Sequence, residues 1–226
     1  MADLTWPDLV RGGTVLVPLG SVEQHGPHLP LDTDTVIARA VAEELGALLG
    51  ADVTPAVGFG ASGEHQSFPG TISIGTEALT AVLVELVRSA TTWAARVIFV
   101  NGHGGNLEAV RRAVSQLRAE GHDVSWVPCA THDADAHAGR TETSLMLHLD
   151  PQRVQAARAS AGNTAPLTEL LPTLRASGVA AVAPNGVLGD PAGASAEEGR
   201  DILHAMVRLA HDIVRDVDAS PAERSS

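Results

Sequence analysis

The stretch "RVIFVNGHGGNLEAVRRAVSQLRAEGHDVSWVPCA", residues 96–130, decides the fold. Residues 96–102 form the most strand-like run of the chain, and 123–130 is a second apolar run. Between them, the apolar positions of 106–121 recur at helical spacing and end at a glycine. A strand, a helix and a second strand in this order predict two parallel neighbours in one sheet.

The same alternation continues on both sides of this unit. Further buried strands are predicted at 14–20, 52–57 and 178–184, and helices at 34–50, 76–95, 195–217 and around 143–149. Short apolar strands that alternate with helices favour an α/β fold whose mostly parallel sheet is covered on both faces. We therefore predict one domain over residues 1–217, followed by a disordered C-terminal tail at 218–226.

The bulk composition limits the classes of function. A formal net charge of −12 gives the chain no general attraction to nucleic acid or anionic lipid, and no apolar run is long enough to span a membrane. The N-terminal residues lack the pattern of a secretion signal, and Cys129 is the only cysteine, which excludes a disulfide scaffold. These features predict a cytoplasmic protein without a nucleic-acid or membrane partner.

Missing residue types narrow the chemistry further. The chain contains no lysine and no tyrosine, which excludes Schiff-base enzymes and the lysine of phosphate-binding P-loops, although a GC-rich coding bias explains the absence equally well. "GASG" around Ser62 lacks the spacing of a serine-hydrolase nucleophile turn, and no H-E-x-x-H helix is present.

Imidazoles and carboxylates instead follow the predicted strands. Because parallel strands end at one edge of a sheet, we expect these side chains to converge there. A dense mixture of imidazole and carboxylate suits zinc, iron or manganese. The residues concerned are Glu23 and His25 after the first strand, Asp34 at the following helix, His103 in "VNGHGGN", and His137 and Glu142 beyond the strand at 123–130.

Simpler interpretations remain for several of these residues. Asp34 could cap the helix that it opens, as could its neighbours Asp32 and Thr33. His103 could be a single core histidine, and Glu142 could belong to a capping box. For the polar residues at 132–135 we assign no role.

Four motifs together resemble the creatininase family of metal-dependent amidohydrolases. They occur in the expected order and are "GSVEQHGPHLPLDTD" (20–34), "FPGTIS" (68–73), "NGHGGN" (101–106) and "HAGRTETSLML" (137–147), and "GVLGDPAGASAEEG" (186–199) extends the likeness. The resemblance implies a three-layer α/β/α sandwich, a homo-oligomer and a site for two divalent metal ions, Zn²⁺ or Fe²⁺ in the first place and Mn²⁺ as an alternative.

The resemblance also implies roles for individual residues. Asp34 would bridge the two ions, and His137 matches the catalytic histidine of the family. Independently of the resemblance, the loop after the second strand could bring His65 to the same edge, where it would bind the substrate, although simple exposure would explain it equally well. The remaining ligands carried over by motif position are Glu23, His25 and His103.

Two positions depart from creatininase itself. The glutamate that follows the N-G-H histidine by two residues is replaced here by Gly105, so we expect Glu142 to supply the fifth ligand. The tryptophan four residues before the catalytic histidine is replaced by Asp133, which argues against stacking of creatinine.

The expected activity is hydrolysis of an amide or peptide bond by a metal-activated water. In its compact length and GC-rich composition, the chain most resembles one branch of the family. That branch removes a C-terminal dipeptide from a short, modified precursor peptide in mycofactocin maturation. Two alternatives are an amidohydrolase acting on creatinine or another small or cyclic amide, and a metal-binding scaffold without catalysis.

Overall fold

A computed structural model describes residues 1–132 and 134–219. Within these residues, four parallel strands form one sheet in the order β2-β1-β3-β4. They are β1 (Thr14–Leu19), β2 (Asp52–Val53), β3 (Arg96–Asn101) and β4 (Val124–Pro128). β1 and β3 pair along their whole length, from Thr14 opposite Arg96 to Leu19 opposite Asn101. Both are almost continuously buried, as is expected for central parallel strands covered on two faces.

Helices cover both faces of this sheet. They are α1 (Thr33–Leu49), α2 (Gly75–Ala90), α3 (Leu107–Ala119), α4 (Arg140–Leu149), α5 (Leu167–Ser177) and α6 (Ala196–Ala219). α2 and α3 pack with Phe99 of β3 in one core cluster, whereas α1, α4 and α6 pack with Ile98 in a second. The three-layer α/β/α sandwich is therefore confirmed. None of these helices is both long and apolar enough to cross a bilayer.

The connections place a crevice above β1 and β3. β1 leads into α1 on one face of the sheet, whereas its neighbour β3 leads into α3 on the other face. Where two adjacent parallel strands feed helices on opposite faces, their carboxyl ends leave a gap that serves as a binding site. The loops at residues 20–32 and 102–106 open into this gap.

Besides α2, which ends at Ala90 and not at residue 95, three predicted elements differ from the structure. The strand expected at 178–184 is instead a 3-10 turn, Val179–Ala181, that packs with α5 away from the sheet. A short apolar run does not distinguish a strand from a buried turn, and this run has no strand partner in the described residues. The second strand is limited to Asp52–Val53 with an isolated bridge at Val57, since Pro55 has no N–H to donate.

The third difference lies at the C-terminus, where α6 extends to Ala219, two residues into the predicted tail. Residues 220–226 of that tail lie outside the described residues, as does Asp133.

Candidate metal centre

The loop after β1 and the first turn of α1 bring three ionisable groups together. His25 is fully buried, and its Nε2 lies 3.0 Å from Oδ1 of Asp34. The other carboxylate oxygen of Asp34 accepts a hydrogen bond of 2.7 Å from the Ser21 hydroxyl. The N-cap of α1 is Asp32, without a side-chain capping bond. Asp34 therefore faces the crevice, and the interpretation of Asp34 as a simple helix cap is wrong.

His103 joins this group from the end of β3. Its Nδ1 lies 3.1 Å from Oδ2 of Asp34, and its Nε2 lies 3.1 Å from Oε2 of Glu23. The interpretation of His103 as a single core histidine is thus wrong, because two carboxylates from the β1 side flank the ring. Glu23, Asp34 and His103 offer ligand atoms that lie within 4.8 Å of one another.

Glu23 is the most unusual group of the cluster. Its side chain is 0% exposed, and neither carboxylate oxygen has a hydrogen-bond partner among the described residues. Burial raises the pKa of Glu23 to about 7, against the opposing effect of His103. A buried carboxylate without a hydrogen bond is costly unless a cation binds it. The donor set of two carboxylates and one imidazole therefore fits a divalent metal ion.

Glu142 approaches the same centre from α4. Its Oε2 lies 3.9 Å from Nε2 of His25 and accepts a hydrogen bond of 2.6 Å from the backbone N–H of Ala138. Glu142 is the third residue of α4, so the capping interpretation holds in part: the carboxylate satisfies an N–H that precedes the helix. With His25 and His137 it forms a second cluster of possible ligand atoms.

The charges in this centre stabilise one another. Burial disfavours the charged forms of His25 and His103, but the neighbouring carboxylates outweigh it and raise the pKa of His25 to about 10 and that of His103 to about 9. Burial likewise opposes ionisation of Asp34, yet His25 and His103 hold the pKa of Asp34 well below its usual value. Burial raises the pKa of Glu142 to about 7.

His65 and His137 lie near Oε1 of Glu23, whereas His103 lies near Oε2. Nε2 of His65 is 3.2 Å from Oε1 of Glu23, and Nδ1 of His137 is 3.7 Å from the same oxygen. Both rings are buried, so the interpretation of His65 as an exposed loop residue is wrong. Burial, followed by the charge of nearby histidines, lowers the pKa of His65 to about 3 and that of His137 well below its usual value.

Two further residues of the site, Gln24 and Asp135, were not predicted from the sequence. Gln24 stands between Glu23 and His25, and its amide contacts both His65 and His137. Asp135, to which we assigned no role, accepts hydrogen bonds from the backbone N–H groups of Arg140 and Thr141 at the start of α4. An aspartate shortly before a predicted helix is a capping signal, and it could have identified Asp135.

The glycine that departs from creatininase has a steric reason. A Cβ at Gly105 would lie 2.4 Å from Nε2 of His103 and 2.7 Å from Oε1 of Glu64. Glu64 comes from the 3-10 turn Gly63–His65, and its Oε1 is 3.5 Å from Nε2 of His103. The carboxylate of Glu64 thus occupies the space that a longer side chain at Gly105 would need.

Comparisons with known proteins agree with this geometry. The mycofactocin precursor peptide peptidase of Mycobacterium ulcerans is 58% identical over 90% of this chain and 82% of its own length. The protein of the same name from Mycolicibacterium smegmatis is also 58% identical, over 89% and 84%. The creatinine amidohydrolase of Pseudomonas putida is 29% identical over 96% of both chains.

Solved structures and a family profile complete the picture. A tryptophan-to-phenylalanine variant of creatininase superposes with a TM-score of 0.79 at 27% identity, covering 96% of this chain and 97% of the other. Related creatininase structures are described as a Zn-Zn type and as a manganese form. The profile of the Creatininase family, described as creatinine amidohydrolase, matches residues 2–214. The chain therefore belongs to the creatininase family.

Proposed function

We propose that this protein is a metal-dependent peptidase that removes a C-terminal dipeptide from the short, modified precursor peptide of mycofactocin. The carboxylate of Glu23, buried without a hydrogen bond between His65 and His103, carries the catalytic part of this proposal. The 58% identity to mycofactocin precursor peptide peptidases over about nine-tenths of the chain supports the substrate. Amide hydrolysis is also the activity named for the creatinine amidohydrolase relative.

Five side chains would hold two divalent ions. One ion would lie among Glu23, Asp34 and His103, and the second would use His25 and Glu142. Asp34 would join both sites, because its Oδ2 faces His103 while its Oδ1 faces His25. Imidazole and carboxylate donors suit Zn²⁺, Fe²⁺ and Mn²⁺, and we propose Zn²⁺ or Fe²⁺ as the ions used.

The remaining groups would carry the proton transfers. When bound, the ions supply a Lewis acid and lower the pKa of a water molecule toward about 7. Burial lowers the pKa of His137 and so favours its neutral form, and we propose that this ring accepts a proton on the nucleophile side and delivers it to the leaving amine nitrogen. His65 would donate a hydrogen bond to the substrate, and burial of the whole group excludes competing solvent.

We also propose that the protein forms a homo-oligomer. Leu4, Trp6 and Val10 lie close together in sequence and expose 45%, 86% and 70% of their surface, and such apolar groups favour contact with a second chain. Light scattering measures the oligomeric state, and a monomer at micromolar concentration would contradict this part of the proposal. A cytoplasmic location stays a prediction from the sequence.

A direct assay tests the function. The purified protein should release a dipeptide from the C-terminus of the modified precursor peptide and should turn over creatinine far more slowly. A chelator should abolish peptide cleavage, and added Zn²⁺, Fe²⁺ or Mn²⁺ should restore it. Undiminished cleavage after complete metal removal would contradict the metal dependence, whereas preferred turnover of creatinine would support the alternative substrate class.

A further inference from the structure

The side-chain amide of Gln24 has an orientation that its surroundings determine at both ends. Its Oε1 lies 2.8 Å from the backbone N of Gly26, which can only donate, and its Nε2 lies 3.1 Å from the carbonyl oxygen of Gly186, which can only accept. Gly186 adopts φ +78°, and a Cβ there would lie 1.9 Å from Oε1 of Gln24. Glycine at this position therefore leaves room for the amide.

This orientation determines which nitrogen of His65 carries the proton. Nε2 of Gln24 is a donor and lies 2.8 Å from Nδ1 of His65, so Nδ1 must accept and is unprotonated. The proton of the neutral ring is then on Nε2, which lies 3.2 Å from Oε1 of Glu23 without the geometry of a hydrogen bond to it. A protonated Nε2 cannot bind a cation, so His65 is a hydrogen-bond donor and not a metal ligand.

The backbone of the same residue determines the tautomer of His137. Nε2 of His137 lies 2.8 Å from the carbonyl oxygen of Gln24, which can only accept, so this nitrogen carries the proton. The 3.0 Å approach between the same Nε2 and Nε2 of Gln24 is then a contact between two donors and not a hydrogen bond. The two amide hydrogens of Gln24 go to His65 and Gly186, and Nδ1 of His137 presents a free lone pair.

We infer that Gln24 is a positioning residue that sets the tautomers of both histidines, making Nε2 of His65 a donor and Nδ1 of His137 an acceptor beside Glu23. Glu23, His65 and His137 form a third cluster with metal-ligand spacing, and this assignment makes it a donor–acceptor pair for substrate and proton rather than a third metal site. The tautomer assignment itself follows from the hydrogen bonds. Only the use of this pair in amide hydrolysis rests on the proposed function.

The tautomers can be read without any variant and without substrate. In the zinc-loaded protein with ¹⁵N-labelled histidine, long-range imidazole spectra should show both His65 and His137 protonated at Nε2 and bare at Nδ1. A proton at Nδ1 of either ring would overturn the inference. Tautomers as expected in a protein that cleaves no amide would contradict the proposed function alone, because this spectrum involves no reaction.

A variant separates the amide from the backbone carbonyl. Gln24→Leu removes the amide but keeps the carbonyl, so His65 should become a mixture of tautomers while His137 keeps its proton at Nε2. Zinc content should stay at the wild-type value, and kcat should fall about 10–100-fold, as for other residues that orient a metal site indirectly. The matched control is Gln66→Leu, which changes an exposed glutamine directly after the 3-10 turn Gly63–His65. It should change neither the imidazole spectrum nor the rate. An unchanged His65 tautomer in Gln24→Leu would overturn the inference.

Discussion

The two halves of the centre are held in different ways. Glu23 and His103 lie on the loops that leave β1 and β3, which pair residue by residue through the middle of the sheet, and Asp34 lies in the first turn of α1. Their carboxylates contact ionisable side chains, and Glu23 accepts no hydrogen bond from the described residues. His137 and Glu142 instead belong to a loop and a helix after the edge strand β4, and both are tied to backbone groups, those of Gln24 and Ala138.

This difference indicates that one half binds the metal, whereas the other half orients the side chains that act on the substrate. In the sheet half, the loops after β1 and β3 and the first turn of α1 position the side chains, and the Glu23 carboxylate, which accepts no hydrogen bond from the described residues, is left for a ligand. In the α4 half, hydrogen bonds position the side chains, so a change in a supporting group should move them. Substitutions of Glu23, Asp34 or His103 should therefore remove metal and activity together, whereas substitution of His137 or of a group that supports the α4 half should lower the rate with the metal still bound.

Asp34→Asn should have the largest effect. It removes the charge that contacts His25 and His103, so metal content should fall and kcat should drop by about 10³-fold or more, since metal ions contribute several kcal/mol to such reactions. Metal analysis and peptide cleavage by the same sample measure both effects. Asp32→Asn, at a more exposed neighbour, is the control and should retain both. Full metal content with full activity in Asp34→Asn would contradict the account of the sheet half.

His137→Ala should have the next largest effect. The variant removes the proton-transfer group, so kcat should fall by about 10²–10⁴-fold, whereas metal content should stay unchanged because Glu23, Asp34 and His103 remain. If metal were lost together with activity, His137 would act as a ligand and the proposed division between the halves would be wrong.

Metal affinity should rise with pH. In the metal-free protein the pKa values of His25 and His103 are raised to about 10 and about 9, so both rings are protonated at pH 7 and must lose these protons to bind an ion. Between pH 7 and 9 the affinity should therefore increase by up to about 10²-fold per pH unit. Calorimetry in buffers of different ionisation enthalpy measures the released protons, and a release of none at pH 7 would contradict the assignment of both histidines as ligands.

The same pKa shifts predict how the metal-free protein responds to pH. Both histidines have a folded-state pKa above the ordinary value of 6.5, so their stabilising contribution is fully present below pH 6.5. It is lost as pH rises through about 9 and 10. The Tm of the metal-free protein should fall over this window more than that of the metal-loaded protein.

Asp135→Ala should have the smallest effect. Loss of the bonds to Arg140 and Thr141 should lower the free energy of unfolding by about 0.5–2 kcal/mol, as for other helix caps. A displaced start of α4 should also move His137 slightly. This should reduce kcat by about 10-fold, since a displacement of 1 Å can lower the rate by about 10²-fold. Thermal unfolding and single-turnover cleavage measure the two effects, and a loss of metal without any change in rate would contradict this account.

The sheet half could be predicted because its information is local. Glu23 and His103 closely follow apolar runs, and the edge where parallel strands end determines where they meet. The role of Gln24 and the position of Glu64 beside Gly105 could not be predicted in the same way, because each depends on where a distant loop lies, whereas Asp135 had a local capping signal that was not used. The 3-10 turn Val179–Ala181 was misread as a strand for a related reason: a short apolar run does not reveal its partner.

Anomalous diffraction from a zinc-loaded crystal tests the central claim most directly. The account predicts two peaks per chain, one among Glu23, Asp34 and His103 and one beside His25 and Glu142, with Asp34 between them. A single peak remote from Glu23, or zinc bound to His65 through Nε2, would contradict it.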